Sequence, residues 1–383
     1  MKYCCSFETK AVRGASGGDE RTGAISFPIY QSATFKHAGL YESTGYDYSR
    51  MQNPTVEELE RTVASLEGGK EGIAFASGLG AITCCIHLFK AGEHVILSED
   101  LYGGTFRLFD DIYKSFGIDA TFVDTRNLED IKAAIKENTK GIFIETPSNP
   151  SLKVTDIRGI SKIAKENNLI FVVDNTFLTP YYQRPLELGA DVVVHSGTKY
   201  LGGHNDVLAG IAVANDENII KRLRYILMST GATLGANDAW LLLRGLKTLH
   251  IRLDRAQENA IEIAKWLEKQ EEVSTVYYVG LEDHEGYEIN KSQSSGFGTT
   301  LSFRVKDKEI IPRILKNVEV ISFAESLGGV ETLITYPFTQ THSELPDDLR
   351  KRLGVDEYLL RIAVGIENIN DLIGDLERAI KGE

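Results

Sequence analysis

Residues 191–199 read Asp191-Val192-Val193-Val194-His195-Ser196-Gly197-Thr198-Lys199, and this stretch decides the fold. Consecutive valines make a strand that is apolar on both faces, as in a parallel sheet covered by helices on each side. Two hydroxyls and a lysine follow at once. The amine therefore emerges at the carboxyl end of a buried strand, which is where ligands bind in such sheets.

Working outward, the same alternation of short β-branched runs and helical spacing begins near residue 55. It predicts strands over 72–76, 94–97, 120–123, 141–145, 170–173, 192–195 and 208–213. Helical stretches fall between them, over 81–90, 105–116, 128–137 and 157–167. The expected fold is α/β with a mostly parallel central sheet. A helical tract over 216–272, broken at the Gly-rich 231–235, leads to a smaller C-terminal α+β part. Its strands are expected over 273–279, 298–304, 320–323 and 359–364, with helices over 310–316 and 369–380. Residues 1–54 form an aperiodic Gly-, Ser- and Tyr-rich arm suited to packing on another subunit. The domain division expected is 1–54, 55–240 and 241–383.

The 383 residues carry 42 Lys plus Arg against 55 Asp plus Glu, a formal charge of -13, and no basic run. Nucleic acid is therefore excluded as an expected partner. No stretch reaches the eighteen or so apolar residues that span a bilayer, and Met1 to Lys10 has no long apolar run. The expectation is a cytoplasmic protein without a membrane partner. The four cysteines form two adjacent pairs, Cys4-Cys5 and Cys84-Cys85, a spacing of neither a zinc site nor a redox pair. They read as reduced thiols, and no metal is expected.

Lys199 sits where a lysine imine is useful, with Ser196 and Thr198 able to donate to a nearby phosphate from the same turn. Taken alone, the segment is better described as a surface lysine after a strand. A second strand, 170–173, runs directly into Asp174. A buried unpaired carboxylate is costly, and a protonated pyridine nitrogen would both pair with it and turn the ring into an electron sink. Asp174 as a simple cap of the next element is the competing account.

Ala76-Ser77-Gly78-Leu79-Gly80 ends one strand and opens a helix, offering free N–H groups to an anion. It is not a G-x-G-x-x-G fingerprint, which sets aside a nicotinamide dehydrogenase. Tyr102 can cover a ring face, Asn149 stands in Glu-Thr-Pro-Ser-Asn-Pro, and Arg361 interrupts an apolar strand. Such an arginine needs an anion, either a substrate carboxylate or a structural partner.

Taken together, Tyr48-Ser-Arg50, Ser77-Gly-Leu79, Tyr102-Gly-Gly104, Ser196-Gly-Thr-Lys199 and Glu325-Ser-Leu-Gly-Gly329 resemble the Cys/Met metabolism family of pyridoxal-phosphate enzymes. The resemblance covers nearly the whole chain and implies the fold type I transferase architecture. It implies pyridoxal 5'-phosphate as cofactor, with Lys199 as the internal aldimine, Asp174 at the ring nitrogen, and Tyr102 stacking on the ring and carrying protons. Gly78, Leu79, Ser196 and Thr198 would cup the phosphate, and Asn149 would contact the ring. Tyr48 and Arg50 would reach the phosphate in a neighbouring subunit, which implies a homotetramer built from dimers. Ser326 and Arg361 would hold the carboxylate of a small amino-acid substrate.

Within the family, Glu325 suits a distal ammonium and Arg107 a distal anion. Asp47 and the run Thr335-Tyr-Pro-Phe-Thr-Gln-Thr-His342 resemble the cystathionine gamma-synthases of Gram-positive bacteria. That resemblance implies trans-sulfuration by gamma-replacement of an O-acylhomoserine with cysteine, Lys199 shuttling the alpha and beta protons. Gln340 departs from the methionine found in many relatives and bears on the acyl group. Cystathionine gamma-lyase or beta-lyase and O-acetylhomoserine sulfhydrylase activity use the same residues and stay open, although the enteric beta-lyase pattern and the methionine gamma-lyase cysteine are both absent. A cofactor-free binding or regulatory protein is the non-enzymatic alternative.

Overall fold

The computed structural model describes residues 5–342 and 346–382; Cys4 of the first cysteine pair lies outside them. Twelve strands follow in chain order: β1 (Glu71–Phe75), β2 (His94–Ser98), β3 (Asp119–Val123), β4 (Thr139–Glu145), β5 (Ile170–Asp174), β6 (Val192–Ser196), β7 (Gly210–Ala214), β8 (Val273–Tyr277), β9 (Thr300–Val305), β10 (Ser322–Phe323), β11 (Leu333–Thr335) and β12 (Leu359–Ala363). They build a seven-stranded sheet in the order β1-β7-β6-β5-β4-β2-β3 and a five-stranded sheet in the order β10-β11-β12-β9-β8. In the larger sheet only β7 runs antiparallel to its neighbours, so it is mostly parallel. The second sheet is antiparallel except for β10 with β11.

The apolar strands are buried on both faces, as their composition requires. Phe171, Val173 and Val193 pack with Leu59, Val63 and Leu66 of helix Pro54–Glu67 on one side. Val172, Val192 and Val194 pack with Ala81 and Ile82 of helix Gly78–Ile86 on the other. Each such side chain contributes roughly 1.5–3 kcal/mol by leaving water. Helix Pro54–Glu67 starts where Asn53 accepts from the N–H groups of Thr55 and Val56, and stops at Gly68 in the left-handed region.

A long helix, Leu249–Leu267, runs between the two cores. Its Leu249 and Leu253 belong to the large-sheet core, whereas Ala260, Ile263 and Leu267 pack with Leu301, Phe303 and Ile362 of the second sheet. Leu372 and Leu376 of helix Ile369–Lys381 join the same core.

Several local expectations change. The tract over 216–272 breaks at 231–235 as read, but also at Lys247-Thr248, giving helices Glu217–Thr230, Ala236–Leu246 and Leu249–Leu267. The helix expected over 105–116 forms, but as helix Gly103–Arg107 running on into a π-helical turn, Leu108–Tyr113. The arm holds a helix, Phe7–Arg13, with only Ala11 buried. The strand expected over 320–323 shrinks to two exposed residues. Strand β11 and helices Tyr287–Gln293 and Asp347–Arg352 carry too few residues for a period to show. No helix among the described residues is long and apolar enough to cross a membrane.

Candidate active site

The carboxyl ends of neighbouring strands converge. β6 ends at Ser196 and turns into Lys199, β5 ends at Asp174, β4 ends at Glu145 and leads to Asn149, and β1 leads through Ser77 to Gly78. Lys199 Nζ donates to Ser326 Oγ at 2.8 Å. Burial above all, then the charge of Arg361, lowers its ammonium from 10.5 to about 8, with Glu325 acting the other way. The amine is thus partly neutral near physiological pH.

Asp174 is 8% exposed, and its Oδ1 accepts from the Thr176 N–H at 3.0 Å and the Thr176 hydroxyl at 2.5 Å. The Thr176 hydroxyl also accepts from Ser196 N at 2.9 Å, tying the ends of β5 and β6 together. Burial pushes the Asp174 carboxyl up, against these hydrogen bonds.

Ser77 caps helix Gly78–Ile86 by accepting from Gly80 N at 3.0 Å. A Cβ on Gly78 would lie 2.9 Å from Ser196 Cβ and 3.0 Å from Ser196 Oγ. Glycine there lets the helix start and the Ser196 hydroxyl share one small space. Thr198 is close by, but its hydroxyl donates to Ala209 O at 3.3 Å and accepts from Ala209 N at 3.0 Å. Tyr102 is 42% exposed and stands at the start of helix Gly103–Arg107. A Cβ on Gly104 would meet the Tyr102 ring at 2.5 Å and Leu79 at 3.0 Å, so Leu79, Gly104 and Tyr102 come together. Arg107 ends the same short helix and is exposed.

Arg361 on β12 is 1% exposed. Its Nη1 donates to Asn149 Oδ1 at 2.9 Å, and its Nη2 donates to Ser326 O at 2.6 Å and Thr335 Oγ1 at 2.9 Å. Among the described residues Nε has no partner, and no carboxylate forms a salt bridge with the guanidinium. Burial lowers Arg361 to about 10. Ser326 has φ 112, a costly conformation for a residue with a Cβ. It turns the Ser326 hydroxyl to Lys199 and its carbonyl to Arg361. Glu325, exposed, lines a cleft of about 490 Å³ with Ser326, Thr198 and Asp206.

Asp47, Tyr48 and Arg50 stand apart. Asp47 accepts from Ser43 Oγ at 2.6 Å and pairs with His37 at 2.9 Å, and the Arg50 guanidinium lies 5.6 Å from the centroid of the Tyr48 ring. Tyr48 and Arg50 line another cleft, of about 600 Å³, with Thr233 and Leu234. No hydrogen bond, ion pair or ring contact among the described residues joins these three to Lys199, Asp174 or Arg361. Gln340 turns inward, its Oε1 accepting from Tyr336 N at 2.8 Å. Nearby His342, lowered to about 4 chiefly by burial and so neutral, donates from Nε2 to Asn149 O at 3.0 Å.

Sequence reasoning missed Thr176, Thr335 and Glu145. Glu145 had a legible signal, since Gly-Ile-Phe-Ile-Glu145 ends an apolar strand in a carboxylate just as Ile-Phe-Val-Val-Asp174 does. Thr335 had none, because its contact spans from one strand to the next in a three-residue element.

Known proteins with this architecture share more than the fold. A cystathionine beta-lyase of Lactococcus lactis subsp. cremoris (strain MG1363) is 48% identical over 98% of this chain and 99% of its own. A cystathionine gamma-synthase/O-acetylhomoserine (thiol)-lyase of Bacillus subtilis (strain 168) is 47% identical over 97% and 96%. The crystal structure of cystathionine gamma-lyase from Lactobacillus plantarum complexed with L-serine superposes with TM-score 0.96 at 41% identity, covering 98% of this chain and 99% of that one. The model of the Cys/Met metabolism PLP-dependent enzymes matches residues 8–381. With that match and these relatives, the chain belongs to the Cys/Met metabolism family of pyridoxal-phosphate-dependent enzymes.

Proposed function

We propose that the protein handles cystathionine at a site built around Lys199, and that the buried guanidinium of Arg361 receives the alpha-carboxylate of the substrate. The observation that carries this is a fully buried arginine with an unpaired Nε, no carboxylate partner among the described residues, and a direct link through Ser326 to the lysine amine. A buried cation needs an anion, and the fork of arginine matches a carboxylate bidentately.

The residues present fit pyridoxal phosphate. Lys199 would carry it covalently, Asp174 would hold its ring nitrogen, and Tyr102 would cover the ring. Gly78, Leu79, Ser196 and Thr198 would cradle the phosphate at the helix start. When bound, the cofactor supplies an electron sink for a substrate carbanion. The chain does the rest. Arg361, held by Asn149 and Thr335, orients the alpha-carbon; Ser326 receives the Lys199 amine in a hydrogen bond that frees it from bulk water. Once the substrate amine has displaced it, the Lys199 amine takes the proton at the alpha-carbon and hands it on within the site; in the gamma-replacement reading, deprotonated again, it then takes one from the beta-carbon, its lowered affinity suiting a shuttle near neutral pH. Glu325, at the mouth of the cleft, faces the distal ammonium of a long amino acid, and Arg107 a distal anionic group.

In the first reading these residues make cystathionine from an O-acylhomoserine and cysteine by gamma-replacement, as a cystathionine gamma-synthase. The 47% identity with the Bacillus synthase supports it. The second reading is cleavage of cystathionine, supported by the 48% identity with the Lactococcus beta-lyase. O-acetylhomoserine, O-succinylhomoserine and cystathionine, each offered with and without cysteine or sulfide, separate the readings by product. Borohydride reduction and peptide mapping should mark Lys199. Glu325→Ala should depress the cysteine and cystathionine reactions by about tenfold to a hundredfold, the loss of one charge-assisted contact, and spare any sulfide reaction. A label elsewhere, or a Glu325→Ala enzyme unchanged with cystathionine and cysteine, sinks the proposal.

A further inference from the structure

A second carboxylate stands beside Asp174. β4 and β5 pair in parallel with Glu145 opposite Asp174. Since side chains alternate along a strand, the two project from the same face as Phe143 and Val172, which share one core. Asp100 follows the end of β2, on the other flank of β4, and its charge also acts on Glu145. Asp100, Glu145 and Asp174 are 3%, 6% and 8% exposed.

The three carboxyls are not equivalent. Asp174 has the Thr176 N–H and hydroxyl on Oδ1 and the imidazole of His195 acting on it, all favouring its ionised form. On Asp100, burial raises the carboxyl to about 6, held from going higher by Ser148 Oγ, which donates at 2.6 Å, and by the charge of Lys153. Glu145 has neither help. Burial, then the charges of Asp174 and Asp100, push its carboxyl far above the usual range, and no cationic side chain is among the groups acting on it. Its favourable contact is the Tyr102 N–H, which donates to Oε2 at 2.9 Å. That bond fixes the residue whose ring rests against Gly104 and Leu79.

We propose that Glu145 is a proton-bearing positioning residue: neutral between Asp100 and Asp174, it anchors the Tyr102 segment over the site and leaves the negative charge on Asp174. The inference deepens the proposed function and rests on its reading of Asp174 and Tyr102. A neutral carboxyl accepts an N–H bond as well as an amide does, whereas a second buried anion would compete with Asp174 for the same cation.

The test compares Glu145→Gln with Glu145→Leu in the holoenzyme. Infrared difference spectra, wild type minus Glu145→Gln at neutral pH, should show the carbonyl stretch of a protonated carboxylic acid. Glu145→Leu should lose about tenfold in kcat with little change in KM, and shift the pH midpoint of the cofactor absorbance, while circular dichroism shows a retained fold. Glu145→Gln should restore both to within about threefold of wild type, as expected when an acceptor and not a charge is required. Carboxylate bands alone, a Gln variant as impaired as Leu, or a folded Leu variant equal to wild type overturns the proposal. Should Glu145→Leu not fold, the infrared and Gln arms decide. A wild-type protein with no cofactor on Lys199 would refute the site reading instead, and the infrared arm would still report on Glu145.

Discussion

Replacing Arg361 by lysine keeps a positive charge and removes the fork, which isolates what the guanidinium does. In the native protein three of its N–H bonds go to Asn149 Oδ1, Ser326 O and Thr335 Oγ1 at 2.6–2.9 Å, and Nε is left over in a site 1% exposed. An ammonium on a shorter stem cannot meet these acceptors and a carboxylate together. A hydrogen bond to a charged partner contributes about 1.5–3 kcal/mol, and about 1.4 kcal/mol is a factor of ten. Losing one such bond to the substrate therefore weakens its binding by about tenfold to a hundredfold. The assay titrates an unreactive amino acid, followed by the cofactor absorbance, against wild type and Arg361→Lys, and repeats it with the corresponding carboxamide. The acid should lose its affinity in the variant, and the carboxamide, which has no carboxylate to offer, should bind both proteins weakly. An Arg361→Lys protein that is folded and binds the acid within about twofold of wild type would refute the placement of the carboxylate.

The depressed affinity of Lys199 for its proton predicts a pH effect on the cofactor-free protein. Between about 8, where folded Lys199 titrates, and its ordinary 10.5, the unfolded chain binds more protons. Stability should therefore rise with pH through that window and carry the full penalty of the buried charge below it. Thermal unfolding of Lys199→Met, compared with wild type over the same pH range, should lack that rise; parallel curves would count against it. For Arg50, which in one chain lines a cleft other than that of Ser326, mixing inactive Arg50→Ala and inactive Lys199→Ala subunits should restore activity. Absence of recovery despite demonstrated subunit exchange would mean the site is not shared.

The class of fold was legible from residues close together in the chain. Runs such as Phe171-Val172-Val173 and Val192-Val193-Val194 state their own burial, whereas helix Pro54–Glu67, capped by Asn53 and Gly68, was not among the elements expected. The placement of Asp174 and Lys199 at strand ends follows from the same local pattern, because a carboxylate or lysine after an apolar run has to emerge where the strand stops. The motifs likewise sufficed for the family. Short elements such as β10 and β11 were lost or truncated, since two or three residues display no period.

Which strand lies beside which, and in what register, was not local, and the chemistry of the site depends on it. Arg361 meets Asn149 across 212 positions of sequence, and Lys199 meets Ser326 across 127. Glu145 faces Asp174 only because β4 and β5 pair in that register; a slip of one residue would turn one of them into the opposite core. The choice between making and cleaving cystathionine is less legible still, since the same residues serve both. The amino-acid sequence alone determined the layers, the strand-end carboxylate and lysine, and the family, because periodicity and motif are properties of neighbours. Only the tertiary structure decided that Arg361 is buried with no carboxylate partner among the described residues and that Glu145 stands beside Asp174, because burial and charge proximity are set by packing between distant segments.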